Sequence, residues 1–354
     1  MSVEFRTYLQ KIGSGQHTSK SLSRSEAERA LIMILEQIAT PAQIGAFLIA
    51  HRIKRPTAIE MTGFMDAYDR LGAKVPAIDQ VSEPILVLGC PYDGRDRTMP
   101  ISPLASLVVA AAGGRVLSHG GGVMPTKYGL PLIAGWQALG VDWQGLTLVQ
   151  IQTLLQTTGL GFVYQPQHFP LAEALVPYRD QIGKRPPLAT LELIWVPYQG
   201  NYHLCTGFVH PPTEQVIAEA LALHGILSFT TVKGLEGSCD LPRDRAVVIG
   251  LGGQRLILHG RDFGLGGSDP ELVEAELAEQ MQQVLIGATT ELQKSVIWNS
   301  GFYLWRLGKV ADVTEGLLMA TKLLSQGKVW KKLSQLQEAI AELRSSGTAL
   351  LAGG

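Results

Sequence analysis

The chain reads as an α/β protein: a helical N-terminal lobe, then a larger α/β domain with a mostly parallel sheet. Three observations predict this. Before Gly72, apolar residues recur only at helical spacing, as in Leu31, Ile34, Leu35 and Ile38, then Ile44, Phe47 and Leu48. From Pro84 onward, short apolar runs ending in glycine alternate with helical stretches, the pattern of buried parallel strands and their crossovers. A length of 354 residues, with 46% apolar and 17% charged residues, suits two domains rather than one core.

Taken in order, Thr7–Ile12 is a short amphipathic helix. Ser23, with Glu26 three residues on, has the spacing of a capping box and starts a helix through Ile38. Thr40-Pro41 opens the next, over Ala42–Arg52, and Thr57 caps a third over Ala58–Leu71. Residues 1–80 form the lobe, with a returning helical segment near 170–190, and residues 81–354 form the α/β domain. Ile85–Leu88 is a strand ending at Gly89, followed by a helix over 102–112, a strand over Arg115–Leu117, and a helix over 130–139. Further strands are expected at Leu191–Val196, His203–Val209, Leu227–Thr231, Ala246–Ile249 and Leu256–Leu258. Four helices follow, over 270–286, 289–307, 313–325 and 331–345.

A net charge of −1 disfavours a strong, sequence-independent grip on nucleic acid. Three widely spaced cysteines with no C-x-x-C pair indicate neither a disulfide framework nor a cysteine zinc site. The polar N-terminus and the absence of an apolar run of membrane-spanning length make the cytoplasm the expected location.

In open α/β sheets, ligands sit outside the carboxyl ends of strands. Two loops fall there: Gly89-Cys90-Pro91-Tyr92-Asp93-Gly94-Arg95-Asp96-Arg97, and Ser118-His119-Gly120-Gly121-Gly122 leading to Lys127-Tyr128-Gly129. Glycines there let backbone N–H groups approach a phosphate, and Arg95, Arg97 and Lys127 supply charge-assisted bonds. The plainer reading is that the glycines only make tight turns.

Several blocks occur in the order of a known family. "TPAQIGAFLIAHRIK", "ASLVVAAAGGRVLSHG", "GLGFVYQPQHFP", "VPYRDQIGKR", "HGRDFGL" and "NSGFYLWRLGKVADVTEGLLMA" resemble successive segments of the anthranilate phosphoribosyltransferase family, glycosyltransferase family 3. The resemblance implies the phosphoribosyltransferase, nucleoside phosphorylase-like architecture. It also implies a homodimer formed through the lobe, a phosphorylated ribose ligand, a small-molecule acceptor, and Mg²⁺. Carried over residue by residue, it is uneven. The family's G-T-G-G-D-G loop keeps Gly89, Asp93 and Gly94. Its N-I-S-T block keeps Ile101 and Ser102. H-G-N-R keeps His119 and Gly120, with Gly121 and Gly122 in place of Asn and Arg. S-K-S-G keeps Lys127 and Gly129. The arginine expected at the acceptor carboxylate aligns with Arg179, and of the metal-binding acidic pair only Glu236 remains. The implied roles are therefore catalytic for His119 and Arg179 and metal-binding for Glu236. Gly89, Asp93, Gly94, Arg95, Arg97, Ser102, Gly120, Gly121, Gly122 and Lys127 are the phosphate-binding set. A chain so altered looks like a divergent paralogue with an altered ligand.

Each has a plainer reading: His119 structural, Arg179 a surface arginine, Glu236 a loop acid. Cys90 sits where a nucleophile would, but next to Pro91 and without a spaced histidine partner. His168 and His203 lack metal-ligand spacing. Lys328, Lys331 and Lys332 around Trp330 read as a solvated face, and Leu333, Leu336, Ile340 and Leu343 as a packing stripe. The leading reading is phosphoribosyl transfer from phosphoribosyl diphosphate to an amine or ring nitrogen. The alternatives are a catalytically silent paralogue that binds nucleic acid through Arg52, Lys54, Arg55, Lys184 and Arg185, and a ligand sensor or structural dimer.

Overall fold

The computed structural model describes residues 2–15, 17–78 and 83–352. Four helices come first: α1 (Val3–Ile12), α2 (Arg24–Leu35), α3 (Pro41–Lys54) and α4 (Ala58–Leu71). Ser23, Thr40 and Thr57 each close a capping box with Glu26, Gln43 and Glu60, satisfying orphan N–H groups at three helix starts. Pro41 occupies the first turn of α3, where a missing N–H costs nothing. Helix α2 packs on α4, and α1 on α3, burying Leu31, Leu35, Phe47 and Phe64. Inside this bundle the fully buried Glu60 carboxylate accepts the Leu22 N–H at 2.9 Å and pairs with Lys54 at 2.7 Å.

The α/β part begins with β1 (Ile85–Gly89), α5 (Ser102–Ala111), β2 (Val116–Gly120), α6 (Leu132–Ala138), α7 (Leu148–Thr157) and β3 (Leu160–Tyr164). A helical run follows: α8 (Gln165–His168), α9 (Pro170–Glu173), α10 (Val176–Ile182) and α11 (Leu188–Ile194). The sheet resumes with β4 (Tyr202–Gly207), α12 (Pro211–His224), β5 (Phe229–Val232) and the hairpin β6 (Ala246–Leu251) and β7 (Gln254–His259). Helices α13 (Leu277–Leu285), α14 (Glu291–Arg306), α15 (Val313–Ser325) and α16 (Lys328–Ala352) complete the chain.

Seven strands form one sheet in the order β3-β2-β1-β4-β5-β6-β7. Strands β1 to β5 pair in parallel, and β6 and β7 join antiparallel. Strand order reverses at β1, whose neighbours are β2 and β4, so a crevice opens above the carboxyl ends of β1 and β4. Central β1 is buried throughout, and α5, apolar on all sides, lies in the core against α14 and α16. The stripe Leu333, Leu336 and Ile340 is buried on α16, which packs on α5 and α7. Helix α10 returns to pack on α3, and α11 on α4, tying the lobe to the sheet.

Two local expectations are corrected. Leu191–Val196, read as a strand, lies in α11 and its exit; a short run broken only by Glu192 has too little periodicity to separate buried helix from buried strand. Conversely, β3 went unread because Gly161 interrupts a short apolar run. Among the described residues, no helix is long and apolar enough to cross a membrane.

Candidate functional site

Three loops meet above the carboxyl ends of the strands: 90–98 after β1, 121–130 after β2, and 233–243 after β5. Gly94 turns the first loop with φ +75, and a Cβ there would lie 2.4 Å from the Leu130 carbonyl oxygen. Gly89 passes so close to α11 that a Cβ would lie 2.0 Å from the Leu193 carbonyl oxygen. Gly121 and Gly122 differ: neither has positive φ, and a Cβ would meet only side-chain ends at 3.2 Å and 3.5 Å. A tight turn therefore does not explain this pair of glycines.

The structure brings most of the sequence-derived set together and ties it up internally. Arg95 is buried and donates to Leu235 O at 2.9 Å, Ser238 Oγ at 2.7 Å, Thr98 Oγ1 at 3.0 Å and the Asp240 carboxylate. Ser102, at the start of α5, donates to the same Asp240 at 2.8 Å, as does Tyr303 at 3.1 Å. Asp93 is buried and paired with Arg185 from the segment between α10 and α11. Arg97 projects into water, with its Nε 3.7 Å from Asp96. Sequence reasoning missed Asp240, Ser238 and Thr98: Asp240 and Ser238 meet Arg95, and Thr98 meets Glu236, across about 140 positions, and no local motif marks them.

Lys127 and Glu236, read separately as a phosphate ligand and a metal ligand, form an ion pair with each other. Glu236 Oε1 also accepts the N–H groups of Arg97 at 3.3 Å and Thr98 at 2.9 Å, and Oε2 that of Asp96 at 3.2 Å. The Thr98 hydroxyl donates to Oε1 at 2.8 Å. Burial alone would raise the Glu236 carboxyl, but these hydrogen bonds, with Lys127, hold it far below the usual carboxylate range. Lys127 Nζ also donates to Gly94 O at 2.7 Å and lies 3.3 Å from the Asp96 carboxylate.

His119 ends β2 fully buried, with Nδ1 2.6 Å from the Tyr92 hydroxyl and Nε2 without a hydrogen-bond partner. Burial pushes its pKa down to about 3, so the ring is neutral at physiological pH. Its edge meets Trp195, which packs on Tyr68 and Phe169. Arg179, near this aromatic cluster, is buried and grips the Glu192 carboxylate through both terminal nitrogens. Burial pushes the Glu192 carboxyl up while Arg179 pulls it back. A carboxylate clamp at Arg179 is thus filled by the protein's own acid.

Cys90, Cys205 and Cys239 are all free and buried. Cys90 Sγ lies 3.9 Å from Cys239 Sγ and 3.5 Å from Ser102 Oγ, and the Cys239 contact and burial push its thiol up, which suits packing rather than nucleophilic attack. His203 is bonded to Ser228 and Thr230, and His168 to Leu146 O and Tyr164 N–H, so both are structural.

Among the described residues, no group of three or more His, Cys, Asp or Glu side chains is placed to hold a metal ion. Asp93, Asp240 and Glu236 each face a cation of the protein, so this donor set does not fit Mg²⁺. The cavity lined by Cys90, Gly94, Arg95, Ser102 and Asp240 measures about 20 Å³, room for one water and not for a sugar phosphate. A separate groove of about 620 Å³ is lined by Arg52, Arg55, Arg185 and His210.

Comparison with known proteins accords with this fold. Residues 6–72 match the helical bundle domain of the glycosyl transferase family, and residues 93–330 match its a/b domain. The anthranilate phosphoribosyltransferase of Afipia carboxidovorans is 28% identical over 348 residues, covering 94% of this chain and 98% of that protein. That of Paracidovorax citrulli is 26% identical over 343 residues, covering 95% and 96%. Among solved structures, anthranilate phosphoribosyltransferase from Saccharomyces cerevisiae in complex with PRPP and Mg superposes with a TM-score of 0.83 at 16% identity, covering 97% of this chain and 99% of that one. The Thermus thermophilus enzyme gives 0.78 at 20% identity, covering 96% and 100%. At these identities the structural likeness shows the shared fold.

Proposed function

The chain belongs to the glycosyl transferase family with a helical bundle and an a/b domain, and from that premise we propose that it binds a phosphorylated ribose in the crevice above β1, β2 and β5. The reaction we assign is phosphoribosyl transfer from phosphoribosyl diphosphate to an amine or ring nitrogen. The nitrogen lone pair attacks the anomeric carbon, the C–O bond to diphosphate breaks with its electron pair leaving on diphosphate, and the nitrogen loses a proton. The protein contributes position and charge compensation. The observation that carries this reading is the convergence of Lys127 with the N–H groups of Asp96, Arg97 and Thr98 on a single anion at the strand ends. In this reading the acceptor sits near His119, whose Nε2 is buried without a hydrogen-bond partner.

Two features turn the proposal away from anthranilate itself. Arg179 already holds Glu192, and Gly121 replaces the family's asparagine. Magnesium is bound by the yeast enzyme. Among the described residues the carboxylates do not gather around such an ion. We assign the second copy that the resemblance implies to a groove of about 1010 Å³ on the lobe, lined by Ile12, Ala46, Ile49 and Ile53 together with Lys54, Arg55 and Thr57.

Calorimetric titration with phosphoribosyl diphosphate, with and without Mg²⁺, tests the reading. Binding by the wild type, weakened at least about tenfold in Lys127→Ala, is expected, since a charge-assisted bond contributes roughly 1.5–3 kcal/mol. Equal affinity in the two proteins would remove Lys127 from the site.

A second reading rests on a separate observation. Arg52, Arg55 and Arg185 line one groove, with Arg52 Nε donating to Arg185 O at 2.9 Å. Such a row suits the phosphates of a nucleic acid, although Lys54 is paired with Glu60 and Arg185 with Asp93. Binding of a DNA 30-mer that falls steeply with salt would favour it, and salt-independent binding would exclude it.

A further inference from the structure

The seat around Glu236 has more donors than a loop acid needs. Three consecutive backbone N–H groups, one hydroxyl and one ammonium converge on two carboxylate oxygens. Successive N–H groups aimed at one point form the kind of concave nest that binds phosphate. Carboxylate and phosphate oxygens are both acceptor-only anions, so the same donors serve either. Glu236 reaches the seat from a strained backbone, with φ +52, in a region where a non-glycine residue is uncommon.

The seat does not depend on Glu236 for its shape. Arg95, from the 90–98 loop, stitches that loop to the one after β5 through Leu235 O, Ser238 and Asp240. Lys127 is held in place independently by Gly94 O at 2.7 Å. Removing the Glu236 carboxylate therefore leaves the N–H groups, the Thr98 hydroxyl and Lys127 facing an empty position.

We propose that Glu236 is a resident competitor: its carboxylate fills the oxyanion seat of Asp96, Arg97, Thr98 and Lys127, and a phosphate or diphosphate group binds there by displacing it. This rests on the reading of a phosphorylated ligand in this crevice and adds which donors hold it and what guards them. The contact is autoinhibitory. A ligand must displace an internal anion to enter, which lowers its apparent affinity.

The test is calorimetry with inorganic pyrophosphate, and separately with phosphoribosyl diphosphate, on wild type, Glu236→Ala and Glu236→Gln. The glutamine variant keeps the volume and loses the charge, and circular dichroism checks that both fold. Pyrophosphate should bind Glu236→Ala at least about tenfold more tightly than wild type, with Glu236→Gln also gaining, and adding Lys127→Met should abolish the gain. A folded variant whose affinity is unchanged or weaker overturns the proposal. If, in addition, wild type binds phosphoribosyl diphosphate only with Mg²⁺ and both variants lose it, Glu236 is a metal ligand and the transferase reading survives alone. If pyrophosphate binds the variants more tightly while phosphoribosyl diphosphate binds no form, the seat stands and the ribosyl reading falls.

Discussion

His119 shows how one buried side chain links the site to the stability of the whole chain. The ring is fully buried, with Tyr92 on Nδ1 and Trp195 against its edge, so the protonated form loses its hydration and gains no carboxylate. Its pKa falls to about 3 in the folded protein, from an ordinary value of 6.5. Between those values the unfolded chain binds a proton that the native state refuses. The stability it contributes is complete above pH 6.5 and is lost as pH falls toward 3, at up to about 1.4 kcal/mol per pH unit. His203, lowered by burial to about 4, acts in the same direction. Urea midpoints at pH 7 and pH 5 should therefore separate by less in His119→Gln than in wild type. An identical drop in both would mean that the ring is hydrated.

At the scale of elements, the site depends on backbones that approach more closely than side chains allow. The end of β1 lies against the carbonyl of Leu193 in α11, and only glycine fits at position 89. Gly89→Ala should lower thermal stability by an overpacking cost of about 1–3 kcal/mol and perturb ligand binding, because the 90–98 loop starts there. A melting temperature equal to that of wild type would show that α11 can retreat. This position was legible in the sequence as a glycine ending an apolar run. So were the helix starts of the lobe at Ser23, Thr40 and Thr57 and the strand-end placement of the two glycine loops, because strand period, caps and turns are local signals. The closed state of the site was not legible. Arg95 with Asp240, Lys127 with Glu236, and Arg179 with Glu192 are pairings that only the fold creates, and alignment to a family assigns such residues roles without showing that they face one another. The run LELIWV misled for a different reason: six buried positions in a row, five of them apolar, fit α11 as well as a strand.

At the scale of the molecule, two grooves meet at the end of α3. The apolar one runs along Ile12, Ala46, Ile49 and Ile53, and Ile53 is 70% exposed. The basic one holds Arg52, Arg55 and Arg185. Arg55, with φ +66 at the end of α3, lines both, so a copy seated on the apolar groove sits beside the basic one. An isolated patch of this kind costs solubility unless it is covered, and a second copy covers it with like surface. Placing charges at Ile49→Asp and Ile53→Asp puts desolvated carboxylates into the proposed interface while leaving the buried face of the helix, Ile44, Phe47 and Leu48, untouched. Light scattering should report twice the chain mass for wild type and the single chain mass for the double variant, with unchanged circular dichroism. If both give the single mass, the groove does not pair two copies. If both give the double mass, the copies meet on another face, and Arg55 is then left to the basic groove alone.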